Sequence, residues 1–223
     1  MNVLVEACVD SVQTAVDAAA AGAARIELCG AGEGGTTPSF GMLARCRERL
    51  TIPMHVMIRP RSGNFVYNEE EVAVMLRDIE LARTVGANGV VFGILNDDNT
   101  LDEMRMRQLI EAARPLRTAC HRAFDSTPSA NVAFDTLLHL GVDVVLTSGH
   151  APIAVAGALQ LAEHVRVAGN RLSVMAGGGV RAQNVRQIVA HTGVKEIHVR
   201  ATDTRVFADV TETLRRHSTR DVE

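Results

Sequence analysis

The chain has no tryptophan, one tyrosine and six phenylalanines, so aromatics make up 3% of its 223 residues. Stacking on single-stranded nucleic acid needs aromatic faces, and tracking phosphates needs a basic surface. With a formal net charge of -3 the chain offers neither, and nucleic acid is not expected as a partner. No apolar run approaches the ~18 residues of a membrane span, so a soluble protein with no membrane partner is expected. Lysine occurs once, at Lys195, which leaves Schiff-base chemistry a single possible nucleophile. Cys8, Cys29, Cys46 and Cys120 are widely spaced, with no Cys-x-x-Cys, and the chain is too large to need disulfide staples. Free thiols are therefore expected. No basic region and no small-residue cleavage site follow Met1, so a cytoplasmic location is expected.

What is present is an alternation. Short β-branched runs at 3–9, 24–29, 54–60, 89–95, 116–122, 143–149, 171–177 and 195–201 are separated by longer stretches of helical period. Ser11 has the character of a helix N-cap, and Asn68 with Glu71 and Thr100 with Glu103 have the spacing of capping boxes. A glycine followed by a small apolar residue closes the helix before every second strand, at Gly22, Gly86, Gly141 and Gly193. The recurrence over two strand–helix units predicts four quarter-barrels in series. The expected fold is α/β, a single (β/α)8 TIM-like barrel over 1–217, with a polar tail at 218–223. An open doubly wound sheet uses the same alternation and is the structural rival.

In a barrel, alternate strand residues face the interior, and ligands bind at the carboxyl ends of the strands. If Val5, Ile26, Leu28, Ile197 and Val199 face the helices, then Glu6, Cys8, Glu27, Cys29, His198 and Arg200 turn inward. The same parity places His55, Met57 and Arg59 together on strand three and His121 with Ala119 on strand five. Glu6, Glu27, Arg59, His121 and His198 are expected to converge on one mouth, and if that mouth is catalytic its glutamates and histidines serve as acid and base. A buried network of mutually neutralising charges is the structural alternative. Lys195 opens strand eight, at the far end from this mouth, which argues against an aldolase-type lysine.

Gly177, Gly178 and Gly179 follow strand seven, before a helix expected to start near Arg181, and their backbone N–H groups could face an anion. With Arg200 they occupy the usual barrel phosphate position. Arg61, beside Pro60, could serve a second anionic group or lie over the rim. Cys8 and Cys29 sit at similar depth on adjacent strands and could offer two thiolates to a soft ion such as Cu(I), with Met57 nearby; two buried thiols acting as small hydrophobes are the alternative. A hard-metal site from Glu6, Glu27 and His198 is conceivable but has no diagnostic spacing.

The segments ELCGAGEGGTTPS at 27–39, IRPRSGNFVYNEEE at 58–71, CHRAFD at 120–125, LTSG at 146–149 and AGGGV at 176–180 resemble, in order, the motifs of the CutC family, named for copper homeostasis. The resemblance implies a TIM-like barrel, a cytoplasmic homo-oligomer, a role in copper homeostasis with copper as Cu(I), and no organic cofactor. Its matching polar positions are Glu6, Glu27, Cys29, Arg59, Arg61, His121, Arg122, Asp125, Ser148 and His198. Two positions depart from the family pattern: Thr36 stands where leucine is usual, and Arg200 lies where small residues usually follow the strand-eight histidine. A mouth rich in Glu, Arg and His also fits an enzyme acting on a phosphorylated or carboxylated small molecule, or a binding module without catalysis.

Overall fold

The computed structural model describes residues 3–218. Eight parallel strands close into a barrel in sequence order, β1 pairing with both β2 and β8. They are β1 (Leu4–Val9), β2 (Arg25–Leu28), β3 (Met54–Met57), β4 (Gly89–Phe92), β5 (Arg117–Cys120), β6 (Val144–Thr147), β7 (Ser173–Ala176) and β8 (Glu196–Arg200). Each is followed by a helix: α1 (Val12–Ala20), α2 (Phe40–Arg49), α3 (Glu69–Val85), α4 (Glu103–Ala113), α5 (Ala130–Leu140), α6 (Ala158–Ala168), α7 (Val185–Thr192) and α8 (Thr204–Ser218). A 3-10 turn, Arg122–Ser126, intervenes after β5. Ser218 closes α8, and the rest of the expected tail lies outside the described residues. The open doubly wound sheet is excluded by closure. No helix among the described residues is long and apolar enough to cross a membrane.

Local signals explain most element ends. The Ser11 side chain accepts from the Thr14 N–H at the start of α1, and Asn68 and Glu71 form a reciprocal capping box on α3. The capping box expected at Thr100 is not formed. Asp102 caps α4 instead, accepting from the Arg105 N–H at 3.0 Å, while Thr100 donates its N–H and hydroxyl to Asp98 in the preceding turn. Gly86, Gly141 and Gly193 end their helices in the left-handed region, where a side chain would strain the backbone.

The barrel separates two apolar layers. Val5, Ile26, Leu28, Val56, Val90 and Ile197 pack outward against the helices. A smaller interior cluster holds Cys29, Met57, Val91, Ala119, Val144, Leu146 and Met175, with Cys8 at its edge. The interior apolar side chains lie mostly on β3 to β7, so the interior charges gather on β8, β1, β2 and the start of β3.

Candidate functional site at the barrel mouth

Register sets the depth of each inward side chain. Glu6 pairs with Arg25 and His198 across its two neighbouring strands, and Cys8, one step nearer the mouth, pairs with Glu27 and Arg200. A floor around Glu6 and a mouth around Cys8 follow, and His198, level with Glu6 in register, reaches towards the mouth to meet Glu27.

At the floor, fully buried Glu6 binds Arg25. Arg25 also donates to Glu196 at 2.5 Å, which accepts from the Ser173 hydroxyl at 2.6 Å. Burial opposes the Arg25 charge, but Glu6 and Glu196 outweigh it and raise its pKa. His55 lies 3.6 Å from Glu6, and burial together with Arg25 and Arg117 lowers its pKa to about 3, so it is neutral. Glu6 therefore does not line the mouth as expected. It stands one pair of residues too deep and is held by Arg25, although one carboxylate oxygen still lies 4.0 Å from His198. No motif in the sequence marks Arg25 or Glu196, although Arg25 shares the parity of Glu27.

At the mouth lies a cavity of about 440 Å³, lined by Cys8, Glu27, Cys29, Arg59, His121, Arg122, His198 and Arg200 among others. His198 Nε2 lies 2.8 Å from Glu27 Oε2. Burial alone would raise the Glu27 pKa, but the charge and hydrogen bond of His198 pull it down to about 2. Burial disfavours the imidazolium of His198, and Glu27 reverses this and holds its pKa well above the usual value. The two form a His⁺–carboxylate pair at neutral pH. His121 behaves oppositely: burial and the nearby Arg59 charge lower its pKa to about 4. Its Nδ1 accepts from the Ala123 N–H at 3.2 Å, which places the remaining ring proton on Nε2. Phe65 lies against this ring, with centroids 4.9 Å apart.

Glycines make the space for these rings. A side chain at Gly93 would come within 2.8 Å of the His121 ring, one at Gly89 within 2.5 Å of His55, and one at Gly177 within 3.3 Å of His198. No motif in the sequence marks Gly89 or Gly93; only their strand parity, opposite to that of Val90 and Phe92, points inward.

The Cys8 and Cys29 sulfurs are 3.9 Å apart and both thiols are free. The Cys29 thiol also donates to Glu27 Oε2 at 3.8 Å. The thiol–thiol hydrogen bond and burial push Cys8 well above its ordinary pKa. For Cys29 the hydrogen bond with Cys8 lowers the pKa, but burial and Glu27 prevail and raise it. Ligand atoms of Cys8, Glu27 and Cys29 lie within 4.8 Å of one another, as do those of Glu6, Glu27 and His198. Two soft sulfurs beside a carboxylate suit a soft ion better than the second group, two carboxylates and an imidazole with no sulfur.

The expected arginines divide. Arg59 lines the cavity, but its guanidinium donates to the carbonyls of Glu33, Gly35 and Gly63 at 2.8 to 3.0 Å and lies over Phe65. It ties the loop after β2 to the loop after β3 and makes no ion pair among the described residues. Arg61 does not face the cavity. It pairs with Glu71 at 2.5 Å, donates to the Val66 carbonyl and covers Tyr67, so it anchors the loop to α3. Asp125 and Ser148 are also set back from the mouth. Asp125 accepts from Arg122 Nε at 2.8 Å and from the Ser148 N–H at 3.0 Å, and Arg122 Nη2 donates to the Ser148 hydroxyl at 2.8 Å. Together they hold Arg122, which does line the cavity. Arg200 lines it from β8.

Gly177, Gly178 and Gly179 are not on the cavity wall. Their neighbours press too closely for side chains: Leu146 and His198 on Gly177, Ser148 and Arg122 on Gly178, Ile153 on Gly179. The helix expected near Arg181 begins at Val185, because Asn184 folds residues 181–184 into a turn, accepting from the Arg181 N–H and donating to the Gly179 carbonyl. The helix N-terminus is therefore separated from the glycines.

The closed parallel barrel, with this cavity at the carboxyl ends of its strands, is a (β/α)8 barrel whose mouth combines a histidine–carboxylate pair with a thiol pair. The CutC family model matches residues 3–203, and the chain belongs to the CutC family. A CutC protein of Parabacteroides distasonis is 47% identical over 203 residues, covering 90% of this chain and 84% of the relative. The human copper homeostasis protein cutC homolog is 45% identical, with coverage of 91% and 74%. A crystal structure from Streptococcus agalactiae described as a copper homeostasis protein CutC superposes with a TM-score of 0.83 at 36% identity, covering 90% of this chain and 100% of that one.

Proposed function

We propose that this protein takes part in copper homeostasis by holding Cu(I) on Cys8 and Cys29. The observation that carries the reading is the pair of free thiols 3.9 Å apart at the cavity wall. That separation is a little under twice a metal–thiolate bond of ~2.3 Å, so a soft ion can sit between the sulfurs. Gly35 keeps the approach open, since a side chain there would come within 3.0 Å of the Cys29 sulfur. The names of the human and Streptococcus agalactiae relatives support the same reading.

Both thiols are protonated in the metal-free protein, because their pKa values are raised. The metal must displace those protons, so Cu(I) affinity is expected to rise with pH, by up to about tenfold per pH unit for each thiol ionised. Anaerobic competition against a Cu(I) chelator at pH 6, 7 and 8 measures this. The expected result is an affinity that climbs with pH and disappears in Cys8→Ser/Cys29→Ser. Full retention in the double variant would remove these sulfurs as the site.

A further inference from the structure

The mouth holds more chemistry than a thiol pair requires. Three cavity-lining side chains carry buried polar atoms with no hydrogen-bond partner: Glu27 Oε1, His121 Nε2 and Arg59 Nε. These side chains are 1%, 4% and 5% exposed. Leaving a buried polar atom unpaired is costly, and three such atoms around one cavity mark a place where a ligand completes the hydrogen bonding. None is a sulfur ligand, so a Cu(I) ion between Cys8 and Cys29 leaves the His121 and Arg59 donors unsatisfied.

The character of the missing ligand follows from the lining. His121 Nε2 and Arg59 Nε are donors and call for acceptors. Arg59 brings a buried positive charge with no carboxylate partner among the described residues, whereas the His198 charge is already matched by Glu27. Arg122 and Arg200 add two more positive charges to the lining, and Asp10 and Glu33 add two negative ones, so with Arg59 the cations outnumber the carboxylates that His198 does not match. Arg122 is fixed in place: Asp125 takes its Nε and Ser148 its Nη2, and Nη1 makes no hydrogen bond among the described residues. The Asp125 carboxylate is itself bound by the Thr147 hydroxyl and the Ser148 N–H and hydroxyl, so it cannot swing away. A guanidinium held this way is preorganised for an oxyanion. About 440 Å³ is ample for a metabolite of a few carbon atoms and within the range of small-molecule sites.

We propose that the cavity binds a small organic oxyanion, its carboxylate or phosphate seated on Arg122 and Arg200 and a carbonyl or hydroxyl oxygen accepting from His121 Nε2, next to Glu27. Asp125 and Ser148 are then positioning residues acting through Arg122. The site does not depend on the thiols, and its test uses the metal-free protein, so the copper reading can fail without touching it.

The experiment follows the imidazole nitrogens of ¹⁵N-labelled wild-type protein by NMR during titration with inorganic phosphate and, separately, with pyruvate, which carries a carboxylate and a carbonyl. The expected result is a saturable shift of the His121 Nε2 resonance with one probe, and an affinity lowered at least about tenfold, equivalent to ~1.4 kcal/mol, in Arg122→Gln with partial recovery in Arg122→Lys. Response to phosphate alone identifies a phosphate ligand; response to pyruvate alone identifies a carboxylate. If neither probe moves the resonance up to roughly 10 mM, a free energy of a few kcal/mol, or if Arg122→Gln binds as tightly as wild type, the proposal is overturned. The wild-type titration stands whether or not the variants fold.

Discussion

The floor and the mouth of this barrel are built from the same residue types on the same inward parity, yet the floor charges are locked onto one another while the mouth charges surround an open cavity. At the floor, Arg25 is shared by Glu6 and Glu196 and Ser173 takes the remaining Glu196 oxygen, while Glu6 Oε1 and His55 Nδ1 stay unpaired away from the cavity. At the mouth, Glu27, His121 and Arg59 each keep one buried atom without a partner. The difference teaches that buried charge is not in itself a sign of function. What separates site from scaffold is whether the unpaired atoms face a cavity that a ligand can enter.

The largest effect that tests this contrast comes from two inward arginines at opposite levels. Arg25→Met removes the partner shared by two buried carboxylates and is expected to destabilise the protein by about 3–5 kcal/mol. Arg200 is exposed at the rim, with no hydrogen bond or ion pair among the described residues, and Arg200→Met is expected to change stability by less than about 0.5 kcal/mol. Urea denaturation of both variants makes the comparison. Equal losses would mean that the floor network is no more structural than the rim.

Acid probes both levels at once. His55 at the floor and His121 at the mouth have folded pKa values of about 3 and about 4 against a usual 6.5. Because the unfolded chain takes up these protons first, the stability due to each is fully present above pH 6.5 and is lost as pH falls towards the folded values. At pH 5 each has given up about 2 kcal/mol, at 1.36 kcal/mol per pH unit. Urea midpoints between pH 7 and pH 5 should fall accordingly, and His55→Gln and His121→Gln should each flatten the fall. A slope unchanged in both variants would mean that neither ring is held neutral by burial.

How much of this contrast was legible in the sequence depends on which physical rule governed each residue. Alternation and strand parity follow from local periodicity, so the eight strands and the inward turn of Glu27, Cys29, His121 and His198 could be read directly. Depth could not. Glu6 and Glu27 share an inward parity, and only the stagger of β1 against β2, which pairs Cys8 with Glu27, places Glu6 one level down beside Arg25. Arg61 and Asp125 carry the right charges in the right motifs, but their loops fold back so that Glu71 and Arg122 claim them. Gly177 to Gly179 look like an anion turn by composition, whereas the structure shows glycines demanded by close neighbours. Motif chemistry is legible along a chain; the partner that consumes it is a matter of three-dimensional closure.

The two inward glycines of the β4 segment separate the levels most finely. At the floor, a methyl at Gly89 would lie 2.5 Å from His55 and 2.9 Å from the Arg117 carbonyl. The backbone contact cannot yield, so Gly89→Ala should cost about 1–3 kcal/mol through overpacking. At the mouth, a methyl at Gly93 would meet the His121 ring at 2.8 Å and the Ala123 methyl at 3.0 Å, both side chains beside an open cavity. Gly93→Ala should therefore fall at or below the lower end of that range, because the ring can turn into the empty volume. That turn moves Nε2 away from its place in the lining, so the same substitution should weaken oxyanion binding, whereas Gly89→Ala leaves it intact in the folded protein. Thermal melts and the phosphate and pyruvate titrations on both variants read the two quantities separately. Loss of binding in Gly89→Ala, or unimpaired binding in Gly93→Ala, would show that floor and mouth are not independent layers, and that the His121 ring does not owe its position to the missing side chain at Gly93.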